Sequence, residues 1–436
     1  MKSFLPFLSF GAVSLLIIMG GCNKTDTALE DPSLDVFENE ITVRSPEPVN
    51  ELWEIELTKS QENMVSGLNR FAISLLDALN VEAAKSSKQS FVFSPLSVAL
   101  DLAMTANGVK GQAREELFDA LRYTEDNVSE YNAFCKSMIE GLPAVDLTSK
   151  VKLANAVITD FSYPVNDNFK TIIEDNYYSL TESLPFNKWE LVKTRINKWV
   201  NDNTEGLIPA IVGGDRSDAV AFLLNTLYFK ASLREPFLVK NTTKKTFHAY
   251  SRDLPLDFMY GVFDLPYYSN DYLSSIRIPL GRHSKFDMSI LLPNDKGNLS
   301  SVFNTLKTDY SEYSKDFPLK SVKVTVPKIK TSSSFGLIPT LKELGINSIF
   351  NPCDFSAMLK TPVPLLISSV LHDAVFSFDE NGVEAAAVTA MGASGTSSGQ
   401  EPDLEEKTFF ADRPFVYLVR EKSSGVILFA GVFCGD

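Results

Sequence analysis

The chain has 436 residues, of which 44% are hydrophobic and 22% are charged, and its formal net charge at pH 7 is -14. This balance is that of a globular protein with enough apolar residues for a core, and it excludes a largely disordered chain. The negative charge argues against a nucleic-acid partner, because binding to phosphates requires clustered Lys and Arg.

The first segment in chain order is an apolar run over residues 4–19, which follows Lys2 and precedes two glycines and Cys22. A positive region, an apolar region and small residues at a cleavage point are typical of an export signal rather than a spanning helix. The Gly-Gly-Cys sequence resembles a bacterial lipoprotein signal, in which cleavage precedes the cysteine and lipid is attached to its sulfur. Met19 departs from this pattern, since Leu is usual there. We predict a signal peptide over residues 1–21, with an ordinary secretory signal as the alternative.

Acyl chains on Cys22 would hold the protein to a membrane by burial of hydrocarbon. Residues 22–60 contain prolines and acidic patches but lack a sustained apolar period, which predicts a flexible tether. We therefore expect an exported protein that is lipid-anchored to a bacterial membrane. The outer membrane is the expected site, and the protein would face either the periplasm or the outside. If Cys22 is lipidated, Cys135, Cys353 and Cys434 remain, and their odd number predicts buried thiols rather than a disulfide framework.

The folded part is predicted to begin with an amphipathic helix, because apolar residues recur at three- and four-residue steps over residues 64–79. A second helix is predicted to start at the capping residue Ser94, with Pro95 in its first turn and Gly108 at its end. Apolar runs at 222–229, 288–292 and 322–326 predict strands, and those at 415–419 and 426–433 predict a hairpin. Helices concentrate in the first half and strands in the second, which indicates one α+β domain over residues 61–436.

The residue patterns of common enzymes are absent from the sequence. His248, His283 and His372 are widely separated, so no metal-binding pair is expected. No phosphate-binding or dinucleotide-binding glycine loop is present. Residues 392–396 are one residue away from a hydrolase nucleophile elbow, but no apolar strand leads into them. We predict no metal, no cofactor and no catalytic residues, and a serine hydrolase using His372 is the alternative.

One long segment does not fit a packed domain. Residues 390–406 are small, polar and acidic, and loops of this length inside a compact domain are often functional. Residues 379–390 precede them and have period two. The apolar or small face of this pattern consists of Val383, Ala385, Ala387, Thr389, Met391 and Ala393. No proline interrupts it, so the segment could be exposed and could also join a sheet as a strand. A plain flexible loop is the alternative.

These motifs resemble the serpin family. Residues 380–389 closely match that family's Glu-x-Gly-x-Glu-Ala-Ala-Ala-x-Thr pattern. Further matching motifs occur in the family's order at 93–97, 225–230, 344–346, 354–356, 412–415 and 428–431. The resemblance covers most of the chain from about Gln61 to Cys434.

The resemblance implies a strained α+β fold with three β-sheets, about eight or nine helices and an exposed reactive-centre loop at about 380–408. It implies a monomer that is not an enzyme but is consumed as an inhibitor. A serine endopeptidase, or a cysteine endopeptidase as a further class, would form an acyl-enzyme on the loop. The cut loop would then enter the main sheet as a new strand, release stored strain and distort the protease.

The resemblance also implies roles for individual residues. The hinge would consist of Glu380, Gly382, Val383, Glu384, Ala385, Ala386, Ala387, Val388 and Thr389. A polar shutter under the sheet would consist of Ser94, Ser97, Asn225 and His372. Counting forward from the hinge places the scissile bond at Thr396–Ser397, with Ser398 as the alternative, and counting back from Pro414 places it near Asp403. Small residues there favour elastase-like or subtilisin-like proteases. Leu233 stands where the family usually has a Trp.

Two other functions stay open at this point. A serpin fold without inhibition could act as a binding or carrier lipoprotein, although the proline-free hinge, with its uncharged face from Val383 to Thr389, argues against it. A surface adhesin or nutrient-binding lipoprotein is supported only by the predicted anchor and tether.

Overall fold

Eight α-helices and sixteen β-strands form the described part of the chain, which in this computed structural model comprises residues 9–20, 46, 52–86, 89–295, 298–361, 363–380 and 404–436. The helices are α1 (Lys59–Ala83), α2 (Pro95–Gly108), α3 (Gln112–Leu121), α4 (Val128–Gly141), α5 (Asp167–Tyr177), α6 (Trp189–Asn203), α7 (Leu299–Tyr313) and α8 (Ile338–Glu343). The first eight strands are β1 (Ser9–Gly20), β2 (Phe91–Phe93), β3 (Lys150–Asp160), β4 (Ser179–Leu184), β5 (Ala219–Lys230), β6 (Thr243–His248), β7 (Asp253–Ser269) and β8 (Leu273–Leu280). The other eight are β9 (Phe286–Pro293), β10 (Leu319–Pro327), β11 (Ile329–Gly336), β12 (Cys353–Asp354), β13 (Pro364–Phe378), β14 (Glu406–Phe410), β15 (Phe415–Glu421) and β16 (Ile427–Phe433).

The two helices predicted from apolar spacing are present, with the expected caps. In α2 the Ser94 hydroxyl accepts a hydrogen bond from the Ser97 N–H at 3.2 Å, and Pro95 occupies the first turn. Every residue of α2 is buried, as its apolar surface predicts. Helix α1 begins with a capping box in which Thr58 and Gln61 exchange hydrogen bonds.

The end of the predicted tether is packed on the domain. The Trp53 N–H donates to the Ala144 carbonyl oxygen at 3.1 Å, and Ile55 is buried against Gly141 at the end of α4. Since α1 begins at Lys59, the predicted boundary at residue 60 falls inside a helix. Cys22 and most of the predicted tether lie outside the described residues.

The main sheet has seven strands in the order β11-β13-β1-β5-β3-β4, with β12 paired to one end of β13. Strand β1 is antiparallel to both β13 and β5, and β4 is parallel to β3. The larger apolar cluster contains buried residues of α1 and α2 and covers one face. A smaller cluster that includes buried residues of α6 covers the other. The centre of the sheet is therefore buried on both sides.

The remaining strands form two sheets that share the long strand β7. Residues 253–266 of β7 pair with β6 and β10, and β10 pairs with β14. Residues 267–269 of β7 pair with β8, from which the sheet continues through β9, β15, β16 and β2. This arrangement, with eight helices in the described residues, confirms the predicted α+β class and the expected three sheets.

The apolar run near the N-terminus forms the central strand of the main sheet. Residues 11–18 are buried, and the run contains no charged residue that would oppose burial on both faces. Its β-branched and large apolar residues, from Val13 to Ile18, favour an extended backbone with packing on either side. Cleavage after residue 21 stays a prediction, and strand β1 is the arrangement of the uncleaved chain.

Three cysteines lie within the described residues, and all three are free. Cys135 and Cys434 are buried and Cys353 is partly buried. Burial raises the pKa of Cys135 to about 12 and that of Cys353 to about 11. These thiols are therefore protonated and unreactive at neutral pH. Among the helices of the described residues, none is long and apolar enough to cross a membrane.

Candidate functional site: a strand slot and its polar seam

In the main sheet, β5 and β13 come from distant parts of the chain and are separated by one strand position. We call the space between β5 and β13, which β1 occupies, the slot. Strand β1 pairs with β13 over all of its length and with β5 from Ser9 to Met19. Because the backbone groups of a central strand are hydrogen-bonded on both edges, the slot can hold a complete additional strand without unpaired backbone polar groups.

The two faces of the slot differ in their packing. Ala12, Leu16 and Ile18 point into the larger core, to which α2 contributes. Val13, Leu15 and Ile17 belong to the cluster that contains residues of α6. This alternation is that of any strand covered on both faces, so the slot requires small or apolar side chains on both sides.

A layer of polar side chains crosses the apolar slot at its middle. We call it the polar seam, and it consists of Ser14, Ser94, Ser97, Asp101, Asn155, Asn225 and His372, all of which are buried. The Ser94 N–H donates to His372 Nε2 at 3.0 Å. Asn225 Nδ2 donates to Asn155 Oδ1 at 2.7 Å, and Asn155 Nδ2 donates to the Tyr177 carbonyl oxygen at 2.6 Å.

The predicted shutter residues all lie in this seam, but they form two groups rather than one. Ser94, Ser97 and His372 are linked through the start of α2, and Asn225 is linked to Asn155 on the far side of β1. In the sheet register Ser14 is opposite His372 on one side and opposite Asn225 on the other. The backbones of Asn225 and His372 are thus two strand spacings, roughly 9–10 Å, apart.

His372 is kept neutral by its surroundings. Burial lowers the pKa of His372 to about 3, because a charged imidazole would be removed from water without a counter-ion. Since Nε2 accepts a hydrogen bond from Ser94, the ring proton belongs on Nδ1. Nδ1 has no hydrogen-bond partner in the described structure.

Sequence reasoning missed three residues of the seam, Ser14, Asn155 and Asp101, of which Asp101 is the one that carries a carboxyl group. It lies in α2, is fully buried, and neither carboxylate oxygen has a hydrogen-bond partner of good geometry in the described structure. Burial raises the pKa of Asp101 well above its ordinary value, and the neighbouring Ser14 hydroxyl only partly counteracts this. The available signal was one acidic residue within an otherwise apolar helix over residues 95–108.

The predicted hinge begins at a fixed point. Glu380 follows β13 and is only 2% exposed. Thr242 Oγ1 donates to its carboxylate at 2.5 Å, and Lys328 Nζ lies 2.8 Å from the other carboxylate oxygen. Burial acts to raise the pKa of Glu380, but hydrogen bonds from Lys328 and Thr242 outweigh it and lower the pKa overall. Neither of these two partners was predicted from the sequence.

The rest of the predicted hinge and the predicted scissile bond lie outside the described residues. This applies to Gly382 through Thr389 and to Thr396, Ser397 and Ser398. The chain is described again just before β14, where Glu405 pairs with Lys320 at 2.9 Å. Leu233, which stands where a Trp was expected, is buried in the larger core three residues after β5. Within the described residues, no group of three or more His, Cys, Asp and Glu side chains could hold a metal ion.

Comparisons with known proteins agree with this architecture. Residues 66–435 match the model of the serpin family, described as serine protease inhibitors. Serpin-Z10 of Arabidopsis thaliana is 31% identical, over 86% of this chain and 98% of its own length. A serine protease inhibitor of Cyanea capillata is 30% identical, over 83% of this chain and 96% of its own. The structure of human thyroxine-binding globulin in complex with thyroxine has a TM-score of 0.73 at 21% identity, over 86% of this chain and 98% of that one.

Proposed function

Because the chain belongs to the serpin family, we propose that it is a suicide-substrate inhibitor that traps serine endopeptidases, with cysteine endopeptidases as a further class. The protease cleaves the loop after Glu380 and becomes acylated, and the loop then enters the slot between β5 and β13. The observation that carries this proposal is that the slot accepts a whole strand antiparallel to both neighbours. The protein acts as a consumed inhibitor, not as an enzyme.

The direction of the slot supports loop insertion. A strand antiparallel to β13 can follow β13 directly through a short connection, and residues 379–382 include Asn381 and Gly382, two residue types that are common in turns. Glu380 is held by Lys328 and Thr242, so the turn starts from an anchored residue. The hinge thus needs no rearrangement of β13 to begin entering the sheet.

The hinge composition also supports insertion. Its odd-numbered residues from Val383 to Thr389 are small or apolar, and in the slot they would face the core near α2. Val383 is larger than the alanines that follow but is uncharged, so it can enter without a buried unpaired charge. Movement of an acylated protease with the loop would disturb the alignment of its nucleophile, base and oxyanion donors, on which deacylation depends.

We place the scissile bond at Thr396–Ser397, with Ser398 as the alternative. Small uncharged residues at this point fit elastase-like or subtilisin-like specificity pockets, and the nearest basic residue, Lys407, is far along the loop. Acidic residues 403–406 suit few protease pockets, which argues against a bond near Asp403.

A panel of elastase-like, subtilisin-like and trypsin-like proteases tests the function on residues 23–436. We expect a complex that survives denaturing electrophoresis and a released C-terminal fragment that begins near Ser397 by mass spectrometry. Val383→Arg should abolish the complex while the loop is still cleaved, since the arginine would face the core. Glu384→Gln, which adds no charge at the neighbouring position, is the control and should keep the complex. Cleavage without a complex by every protease would contradict inhibition.

We also propose that lipid on Cys22 anchors the inhibitor to a bacterial membrane, with the outer membrane as the expected site. The apolar run followed by Gly20-Gly21-Cys22 supports this. Expression of the full chain and of Cys22→Ala, followed by fractionation and detection of bound acyl chains, tests it. The wild-type protein should be found with membranes and Cys22→Ala should not; equal membrane association of both would contradict the anchor.

A surface cleft favours a second candidate function, that of a binding or carrier protein. The cleft has a volume of about 610 Å³ and is bounded by α1, α7 and the turn between β15 and β16. Arg70, Arg122 and Lys422 line it, so an anionic small molecule is the class of ligand that it fits. The thyroxine-binding globulin has the same fold and was solved with thyroxine. Thyroxine is therefore a suitable probe in a thermal-shift titration, and saturable binding by a protein that traps no protease would favour this candidate.

A further inference from the structure

The slot is filled by a segment that the inhibitory function does not use. Strand β1 is the chain's own N-terminal segment, and it is the only strand in the described part of the main sheet that precedes α1. It lies between β5 and β13, and in the described structure it is the only strand that pairs with the facing edges of these two strands. Since one position between two strands holds one strand, the presence of β1 excludes any other strand from the slot.

The fit of β1 to the slot is specific along its length. Gly11 lies under Leu207, whose side chain would come within 3.2 Å of an added Cβ atom, so a small residue is favoured there. Residues from Ala12 to Ile18 are at most 1% exposed, and none of them is charged. The single polar residue in this stretch, Ser14, coincides with the polar seam between Asn225 and His372. Apolar, small and polar positions of the strand therefore match those of the slot.

The loop sequence carries the same pattern in the same direction. If residues 379–382 form a turn, Val383 would lie opposite Phe378, and each later loop residue would then have a counterpart in β1. The counterparts that share one partner in β13 are Ala12 and Ala387 opposite Ala374, Ser14 and Thr389 opposite His372, and Leu16 and Met391 opposite Val370. A hydroxyl side chain would reach the polar seam in both cases. The N-terminal segment and the loop thus have similar residue types at the same positions of the slot, so they would compete for it.

We propose that Ser9–Gly20 is an intramolecular ligand of the slot that blocks loop insertion, so that the uncleaved chain is not an inhibitor and loss of this segment activates it. The inference rests on the proposed inhibitory function. Removal of residues 1–21 by the predicted cleavage would open the slot in the exported protein.

Three proteins test this proposal: the full chain, the full chain with Leu15→Asp and Leu16→Asp, and residues 23–436. The family match begins at residue 66 and the relatives align over nearly their whole length, so folding of the shortest protein does not require β1. The double variant places a charge on each buried face of β1 and should expel it from the slot. Ser9→Asp, at the end of the strand, is a milder control.

The first measurement is the number of inhibitor molecules consumed for each protease molecule trapped. We expect the full chain to consume at least tenfold more than residues 23–436, because its loop is cleaved but cannot insert. The double variant should approach the value of the short protein. A synthetic peptide of residues 9–20 added to residues 23–436 should restore the block, and the same peptide with both aspartates should not.

Hydrogen exchange separates failure of this inference from failure of the inhibitory function. Slow exchange of the β1 amides in the full chain is expected. Fast exchange, or equal trapping by the full chain and the short protein, would overturn the proposal and leave the inhibitory function intact. If no protein traps any protease, the inhibitory function fails, whereas slow exchange of β1 and binding of the peptide would still establish its place in the slot.

Discussion

The polar seam of the main sheet and the closing hairpin of β15 and β16 are both buried, but they differ in how many of their polar atoms have hydrogen-bond partners. In the seam, atoms without a hydrogen-bond partner in the described structure are Ser14 Oγ, Ser97 Oγ, both Asp101 carboxylate oxygens, Asn225 Oδ1 and His372 Nδ1. In the hairpin, Arg420 forms three hydrogen bonds of 3.0–3.1 Å with Asp287, and Tyr417 donates to the Phe91 carbonyl oxygen at 3.1 Å.

In the proposed insertion mechanism, the seam is the region that rearranges and the hairpin is a region that does not. A buried polar atom without a partner destabilises the state in which it is found, so a second arrangement that satisfies it is favoured. In the proposed mechanism, β5 and β13 admit the loop as a strand between them, and the polar contacts of the seam form around that strand. The hairpin lies in another sheet, which the proposed mechanism leaves unchanged, and its satisfied ion pair favours one arrangement.

The largest expected effect is in the hairpin. Arg420→Met would leave Asp287 buried and unpaired, and we expect a loss of about 4 kcal/mol in the free energy of unfolding, since breaking a buried pair removes the compensation for its charge. Denaturant unfolding of the full chain measures it. Arg234→Met removes a partner from the exposed pair with Glu235 and should cost less than about 0.5 kcal/mol. A loss below about 1 kcal/mol for Arg420→Met would show that the buried ion pair of the hairpin contributes little more to stability than an exposed pair.

In the seam we expect a substitution to raise the free energy of unfolding rather than lower it. Asp101→Ala removes a buried carboxyl group whose oxygens lack a hydrogen-bond partner of good geometry, and it should stabilise the full chain by about 2 kcal/mol at pH 7.5. Because the folded pKa of Asp101 is raised, its contribution is least unfavourable below its ordinary pKa of 3.8 and worsens as the pH rises. The gain should therefore be small at pH 4. The control is Asp119→Ala on the exposed side of α3, and destabilisation by Asp101→Ala at both pH values would mean that the carboxyl group has a structural partner.

A smaller effect, dependent on pH, is expected at His372. The folded protein keeps His372 neutral down to about pH 3, whereas the unfolded chain takes up the proton near the ordinary pKa of 6.5. The stability that this provides is present above pH 6.5 and is lost as the pH falls. The wild-type chain should lose about 1.5 kcal/mol more than His372→Gln between pH 6.5 and 5.0. Denaturant midpoints across this range measure the difference, and exposed His283→Gln should behave like the wild type. If the denaturant midpoints of the wild type and His372→Gln fall equally with pH, the result would contradict a neutral buried imidazole ring.

Local sequence determined the elements and the family. The cap at Ser94, the proline at the first turn of α2 and the turn before β16 depend on contacts within a few residues, which makes them visible as short motifs. The family itself was recognisable from residues 380–389 and the other ordered motifs. The four predicted shutter residues lie beside the main sheet, but their division into two groups around β1 was not foreseen.

Only the tertiary structure decided which segment fills the slot and which groups face it. An uncharged apolar run such as residues 9–20 satisfies equally the sequence requirements of an export signal and of a central strand, and the choice depends on whether two distant strand edges are available. Asp101 and Ser14 meet only because α2 passes beneath β1, and Glu380 meets Lys328 and Thr242 only because three separate loops converge at the end of β13. Hydrophobic periodicity records that a face is buried, but it carries no information about the partner that buries it.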